Sequence, residues 1–406
     1  MPGHSARLEI AVAGCGPGGM ASALFLARMG HRVTLFERFD HPEPVGSGLL
    51  IQPSGQAVLA MLGLLHPVAA DGSRVNRLVG LSQPTGRRAL FMEYRHIAPD
   101  AHAIGTHRAD LFQRLYDAII AEGIALECGH ELAGADVSAA GIRPLFAGRG
   151  ASNTRSRFDL LIDATGANSR LSAGQGTMLR WGALWASIAR PDGNAIAADA
   201  LEQRYRNADH MAGIMPIGRL ADGTGRCALF WSVRDDRVDA LRQAGMSAWQ
   251  ESFAALWPEA APFAGQLESF EQMTFARYRH RTASPSPMAR IAHVGDSWHS
   301  TSPQLGQGAN MALIDAAALA QSLHMTGDLA EALRYYAHYR SLHVRLYQAL
   351  STAFTPLYQS DSGLLPVIRD RLVHHFAHWP LARALVAKIV SGHLGGPMRG
   401  IVPPKT

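Results

Sequence analysis

Residues 8–37 constrain this chain more than any other stretch. Leu8–Ala13 is a short apolar run rich in Ile and Val, the composition of a parallel strand buried on both faces. Gly14-Cys15-Gly16-Pro17-Gly18-Gly19 follows at once and leads into Met20–Met29, Ala-rich and apolar like a helix. His31–Phe36 reads as a second strand, with Glu37 at its end. The spacing is that of a dinucleotide-binding βαβ unit. Gly14 makes the tight turn, Gly16 lets the backbone reach a pyrophosphate, and Gly19 lets helix pack close on strand. The helix N-terminus then offers unpaired N–H groups to the diphosphate. Glu37, about 20 residues on, can accept from ribose hydroxyls, with Arg38 beside it.

At 406 residues the chain exceeds one small core, which predicts two lobes. No apolar run reaches the ~18 residues of a membrane span, and no secretory signal precedes the first strand. Cys15, Cys128 and Cys227 make no metal spacing and no even disulfide set, so no metal site and a reduced, cytoplasmic setting are expected. The net charge of +5 is dispersed rather than run together, which argues against nucleic acid and leaves room for anionic phosphates.

His41–Pro53 reads as a loop, from Pro42, Pro44, Gly46, Gly48 and Pro53, and Ser54 as the cap of a helix running to Gly63. Arg74–Tyr94 predicts a hairpin around Gln83-Pro84-Thr85-Gly86. Thr106–Glu122 predicts an amphipathic helix with Leu111, Leu115, Ala118 and Ile119 on one face. Arg108 in its first turn opposes the macrodipole and points to an anionic partner such as a phosphate, a solvated arginine being the alternative. Phe158–Gly166 is another apolar strand ending in glycine. Strands at Trp181–Ile188, Met211–Ile217 and Cys227–Val233 and a helix at Ser247–Trp257 suggest a second, mainly antiparallel lobe. Ala289–Val294 then begins a second strand–loop–helix unit, with the glycine-dense Gly295–Asn310 loop and a helix from Met311. The fold class read from this order is α/β. A Rossmann-like nucleotide lobe from 1–73, 98–180 and 285–350 receives an inserted antiparallel lobe from 74–97 and 181–284, and helices and a tail fill 351–406.

These pieces together resemble the single-component, FAD-dependent aromatic hydroxylases, the group A flavoprotein monooxygenases with the para-hydroxybenzoate hydroxylase fold. Gly14–Gly19 with Glu37 looks like the family's FAD-adenosine site. Gly295-Asp296 looks like its second FAD motif, whose Asp bonds the ribityl hydroxyls. Pro303-Gln304-Leu305-Gly306-Gln307-Gly308-Ala309-Asn310 matches the family loop along the isoalloxazine, and Arg108 the helix arginine near ribityl and diphosphate. A third motif departs from pattern: Thr165 stands where the family has Asp, only Gly166 and Ser169 match, and Ser172 replaces the final arginine, for which Arg170 is a candidate substitute. That segment is associated with the nicotinamide cofactor as well as FAD. Its Asp-Ala-Thr-Gly form also looks like flavin halogenases and the geranylgeranyl-reductase or lycopene-cyclase relatives, although the halogenase Trp-x-Trp-x-Ile-Pro signature is absent.

The resemblance implies FAD as cofactor, NADH or NADPH as electron donor, and insertion of one oxygen atom from O2, through a flavin C4a-hydroperoxide, into an aromatic or polyene small molecule. An FAD reductase or redox-neutral cyclase is the alternative, motivated by Thr165. Pro303 would wall the flavin face. His299, the titratable residue nearest in sequence to the reacting flavin, is the candidate base for a phenol, or else a loop histidine bonded to backbone. His210 and Arg204 are weaker candidates. Met211, Met215, Phe230 and Trp231 could wall an apolar pocket or simply pack the sheet. The C-terminal helices offer a homodimer surface.

Overall fold

Ile10, Ala11 and Val12 have no solvent exposure in the strand Glu9–Ala13, which explains why that run shows no polar alternation. In the computed structural model, which describes residues 7–42, 47–148, 156–172, 176–286, 288–376 and 379–401, this strand is the centre of a five-stranded parallel sheet. The order is Ile291–His293, Leu160–Asp163, Glu9–Ala13, Arg32–Phe36, Ala125–Glu127. Helix Pro17–Arg28 makes the crossover between the first two strands in sequence, with Pro17 at its first turn, where a missing N–H costs nothing. Met20–Leu26 on that helix are buried against the helix Gly308–Met325, and both belong to the main core.

The second lobe is a seven-stranded sheet in the order Thr274–His280, Thr177–Ala189, Gly225–Arg234, His210–Arg219, Ala200–Arg206, Arg77–Ser82, Arg87–Glu93. Every pairing is antiparallel except Ala200–Arg206 with Arg77–Ser82, which run parallel. Side chains alternate across it, so neighbours in sequence face opposite ways. Trp231 joins Trp249, Phe253 and Trp257 under the helix Met246–Leu256, whereas Phe230 joins Met211 and Met215 on the face turned to the nucleotide lobe. The chain is thus α/β, a parallel sheet with an antiparallel lobe and C-terminal helices Leu329–Tyr358, Leu364–Phe376 and Pro380–Val390.

Two expectations need correcting. The segment read as a loop at 41–53 contains a strand, Gly48–Ile51, paired antiparallel with Ala103–His107, which also pairs with Ser73–Val75. Gly48 is there because the lobes meet on it: a Cβ would lie 2.7 Å from Ala228 Cβ and 2.8 Å from Ile217 Cγ2. Pro44 and Gly46 lie outside the described residues. The next helix begins at Pro53 with Gln52 as N-cap, so Ser54 sits inside the first turn and caps nothing. Helix Arg108–Ala121 does bury Leu111, Leu115 and Ile119, and His107 caps it by accepting from Ala109 N–H at 3.1 Å.

Candidate active site

The segments leaving the C-terminal ends of all five parallel strands converge on one cavity of about 390 Å3, where open α/β sheets hold ligands. Gly14–Gly19, Glu37–Phe39, His130–Leu132, Ala164–Gly166 and Val294–Asp296 line it, with Arg108 from the helix start. Gly14 takes φ +107°, and a Cβ there would sit 2.5 Å from Ala164 O; a Cβ on Gly19 would sit 2.0 Å from Gly14 O. Only glycine fits either position. Gly16 differs: a Cβ there meets no atom within 4 Å, so its bareness leaves room in the cavity.

Glu37 is 8% exposed. One carboxylate oxygen accepts from Cys15 N–H at 2.9 Å; the other accepts from the N–H groups of Arg38 (2.8 Å) and Phe39 (3.2 Å). With about four lone-pair sites on a carboxylate, that leaves one for a ribose hydroxyl. Burial and then the Glu37 charge push the Cys15 thiol far up, so it stays protonated and inert. Arg38 lines the cavity with its guanidinium over the Phe39 ring, 4.5 Å from the centroid. The Asp296 carboxylate opens onto the cavity while protein surrounds its other sides. That enclosure raises its pKa, partly opposed by His299, Arg108 and Arg281.

The departing third motif has its own internal logic. Asp163, two residues before Thr165, accepts from Thr165 N–H (3.0 Å), Thr165 O–H (2.6 Å) and Ser169 O–H (2.5 Å). Asp163 is the carboxylate that closes the strand, and Thr165 fastens the turn to it. Ser172 receives a hydrogen bond at 2.8 Å from Arg281, a 2% exposed guanidinium arriving from the second lobe. Arg170 instead pairs with Glu131 at 2.8 Å on the cavity rim. Sequence reading missed Asp163 and Arg281. An acid closing an apolar strand was the available signal for the first; nothing local flags the second.

A second cavity of about 270 Å3 lies between the lobes and shares Leu49, Arg108, Asp296, Gly308 and Ala309 with the first, so the two adjoin. Pro303, Gly306 and Gln307 line it, with Trp185, Met211, Met215 and Phe230 opposite; Trp231 faces away. Gly306 adopts the left-handed conformation at φ +61°, which ends the Pro303–Leu305 turn. Two buried amide nitrogens on this wall, Gln52 Nε2 and Gln304 Nε2, have no partner among the described residues.

Four sequence candidates, His299, Asn310, Arg204 and His210, lie outside both cavities. His299 is 1% exposed and its Nε2 lies 2.6 Å from Asp315, so its ring faces the core rather than the cavity. Asp315 also accepts from Gly295 N–H (2.9 Å) and Arg340 Nε (2.7 Å); burial alone would raise its pKa, but His299 and Arg340 bring it below the ordinary carboxylate value. Asn310, fully buried, accepts from Gln52 N–H at 2.8 Å and donates to Leu50 O and Gly306 O. It pins the loop rather than facing the cavity. Arg204 stacks over Trp257 and His210 bonds Asp209, both away from the site.

The residues present fit FAD. A glycine cradle, a carboxylate with one acceptor site unspent and a cation at a helix start line one end. At the other, unpartnered amide donors stand beside an apolar wall, as the polar and apolar edges of a flavin require.

Comparison with known proteins agrees. A family model described as FAD binding domain matches residues 7–347. The 6-methylpretetramide 4-monooxygenase of Streptomyces rimosus is 26% identical over 78% of this chain and 75% of its own. The FAD-dependent urate hydroxylase of Klebsiella pneumoniae is 26% identical over 83% of this chain and 87% of its own. Among solved structures, Klebsiella pneumoniae HpxO complexed with FAD and uric acid superposes with a TM-score of 0.79, at 19% identity, covering 97% of this chain and 99% of its own. The sequence motifs, the cradle and the matched span therefore place this chain in the FAD binding domain family, among the flavoprotein monooxygenases with the para-hydroxybenzoate hydroxylase fold.

Proposed function

We propose that this enzyme hydroxylates an aromatic small molecule, using FAD, O2 and NADH or NADPH as electron donor. One observation carries the reading: an apolar cavity opens directly onto the Pro303–Ala309 loop and adjoins the dinucleotide cavity, with which it shares five lining residues. When bound there, FAD supplies the electron transfer and oxygen activation, chemistry that no side chain provides.

Gly14–Gly19, Glu37, Arg38, Arg108 and Asp296 would hold the cofactor's adenosine, diphosphate and ribityl parts. Gln52 and Gln304 offer N–H donors to the flavin's polar edge, and Pro303, lacking an N–H, makes a rigid wall with no competing donor. Trp185, Met211, Met215 and Phe230 exclude water and orient the ring to be attacked. His299 acts through Asp315, which holds the Gly295 amide and so positions the Gly295-Asp296 turn. The three cysteines are free thiols, in keeping with a reducing cytoplasmic setting. Among the described residues no helix is long and apolar enough to cross a membrane. The C-terminal helices would serve as a homodimer surface. The reading is tested by following NAD(P)H and O2 together. Aromatic substrate should raise both rates in step, with one 18O atom from 18O2 in the product. Anaerobic turnover without a hydroxylated product would contradict it.

A further inference from the structure

The wall of the inter-lobe cavity carries more information than its apolar character. Among the described residues its only charged side chains are Arg108 and Asp296, and both also line the dinucleotide cavity, where they face each other electrostatically and belong to the cofactor's end. Away from that end the wall is Leu, Met, Phe, Trp and Ala, interrupted by a few uncharged polar groups.

Besides Gln52 Nε2, Gln304 Nε2 and Gln307 Oε1, three of these have unused hydrogen-bonding capacity. The Tyr278 oxygen accepts from Trp185 Nε1–H at 2.9 Å, and its own hydrogen has no acceptor among the described residues. Burial pushes that phenol up to about 12, so it remains a donor through the neutral range. Gln203 spends its carbonyl oxygen on the Tyr205 hydroxyl at 2.6 Å, which leaves its NH2 group as the end able to meet a ligand. Gln359, 4% exposed, donates to Ser232 Oγ at 2.8 Å, and its Oε1 is buried without a partner among the described residues. The set therefore offers two neutral donors and one neutral acceptor; the one cation whose charge reaches it, Arg108, shares the wall with the Asp296 carboxylate, so the side-chain charge there sums to zero.

A carboxylate entering such a wall would lose its hydration and meet a cation already balanced by Asp296, whereas a phenol, ester, amide or ring carbonyl would find neutral hydrogen-bonding partners. We infer that the substrate is an uncharged aromatic molecule whose neutral oxygen or nitrogen substituents are read by Tyr278, Gln203 and Gln359, and that the site discriminates against ring carboxylates. This rests on the proposed hydroxylase function.

The test uses FAD-loaded full-length protein at pH 7.5 and two matched probe pairs: 4-hydroxybenzoate with its methyl ester, and 6-hydroxynicotinate with its methyl ester. Each is titrated while the flavin absorbance is recorded. The esters should bind at least about tenfold more tightly than the acids. Tyr278→Phe should weaken ester binding roughly three- to tenfold with FAD occupancy unchanged. Thr274→Arg, which places a cation on the same wall at an exposed strand position, should narrow or reverse the preference. Equal affinities, tighter binding of the acids, or no response to either ester up to millimolar concentration would overturn the proposal. The flavin spectrum itself reports cofactor loading, so failure of the discrimination is distinguishable from failure of the FAD-dependent reading.

Discussion

Gly14 and Gly19 are bare for one reason and Gly16 for another, and substitution should separate them. Gly14 and Gly19 would drive a Cβ into backbone oxygens at 2.5 and 2.0 Å, so Gly19→Ala should cost roughly 1–3 kcal/mol of folding stability or more, measured by urea denaturation of apoprotein. Gly16 faces open cavity, so Gly16→Val should leave the apoprotein's stability within about 0.5 kcal/mol while abolishing FAD retention. If Gly16→Val bound FAD normally, the diphosphate placement would be wrong. Asp296→Ala removes a charged acceptor from the site and should weaken FAD binding roughly 10- to 100-fold by equilibrium titration. Wild-type affinity would count against the ribityl assignment. The glycines, Glu37 and Asp296 all line one cavity; the glycines and Glu37 were legible from the spacing of the first βαβ unit, and Asp296 from the family resemblance. His299 and Asn310 were not, because only packing decides which way a loop side chain turns, and both turn inward.

Helix Gly308–Met325 is held to helix Leu329–Tyr358 by a buried ionic group. Asp315 and Arg340 are fully buried at 2.7 Å, with His299 on the other carboxylate oxygen and His343 Nδ1 2.9 Å from Arg340. Arg340→Met would strand the carboxylate and should destabilise the fold by roughly 3–5 kcal/mol, read from the denaturation midpoint. An effect below about 1 kcal/mol would mean the charges are relieved by water. His343 supplies a pH test. Burial first, and then Arg340, bring its pKa down from 6.5 to about 3. Between those values the unfolded chain binds a proton that the folded chain refuses, so stability rises with pH from about 3 to 6.5 and is lost on acidification through that window. Asp315, with its pKa lowered, adds a loss only below the ordinary Asp value of about 3.9. His343→Gln keeps an acceptor for Arg340 and a donor for Gly392 O. Between pH 7.5 and 5 it should lose about 2 kcal/mol less stability than the parent chain. Equal slopes would place the proton elsewhere. Element order was legible from apolar runs and glycine punctuation. The strand Gly48–Ile51 was not, because Gly48 answers to a tertiary contact and Pro53 to a helix start rather than to a loop.

The molecule as a whole is two sheets meeting along one channel, with the C-terminal helices closing the edge strand Arg87–Glu93 of the second. Those helices are apolar on both faces. Ala387 and Val390 pack inward, while Leu364, Leu372, Leu381 and Leu385 are 67%, 50%, 86% and 50% exposed. For a homodimer sealed by that outer face, light scattering should give a dimer mass that Leu381→Asp with Leu385→Asp reduces to a monomer. A parental monomer would remove the dimer. The discontinuous lobe was legible because two strand–loop–helix units stand far apart in the sequence. The cross-lobe placement of Arg281 on Ser172 was not, since nothing short of the folded chain brings residues 109 positions apart together. The central claim is that both loops, Gly14–Gly19 and Gly295–Asn310, grip one FAD. Dialysed protein titrated with FAD should turn yellow, saturate at one FAD per chain, and unfold at a higher temperature as free FAD increases. Protein that stays colourless, with a melting temperature indifferent to FAD, would contradict it.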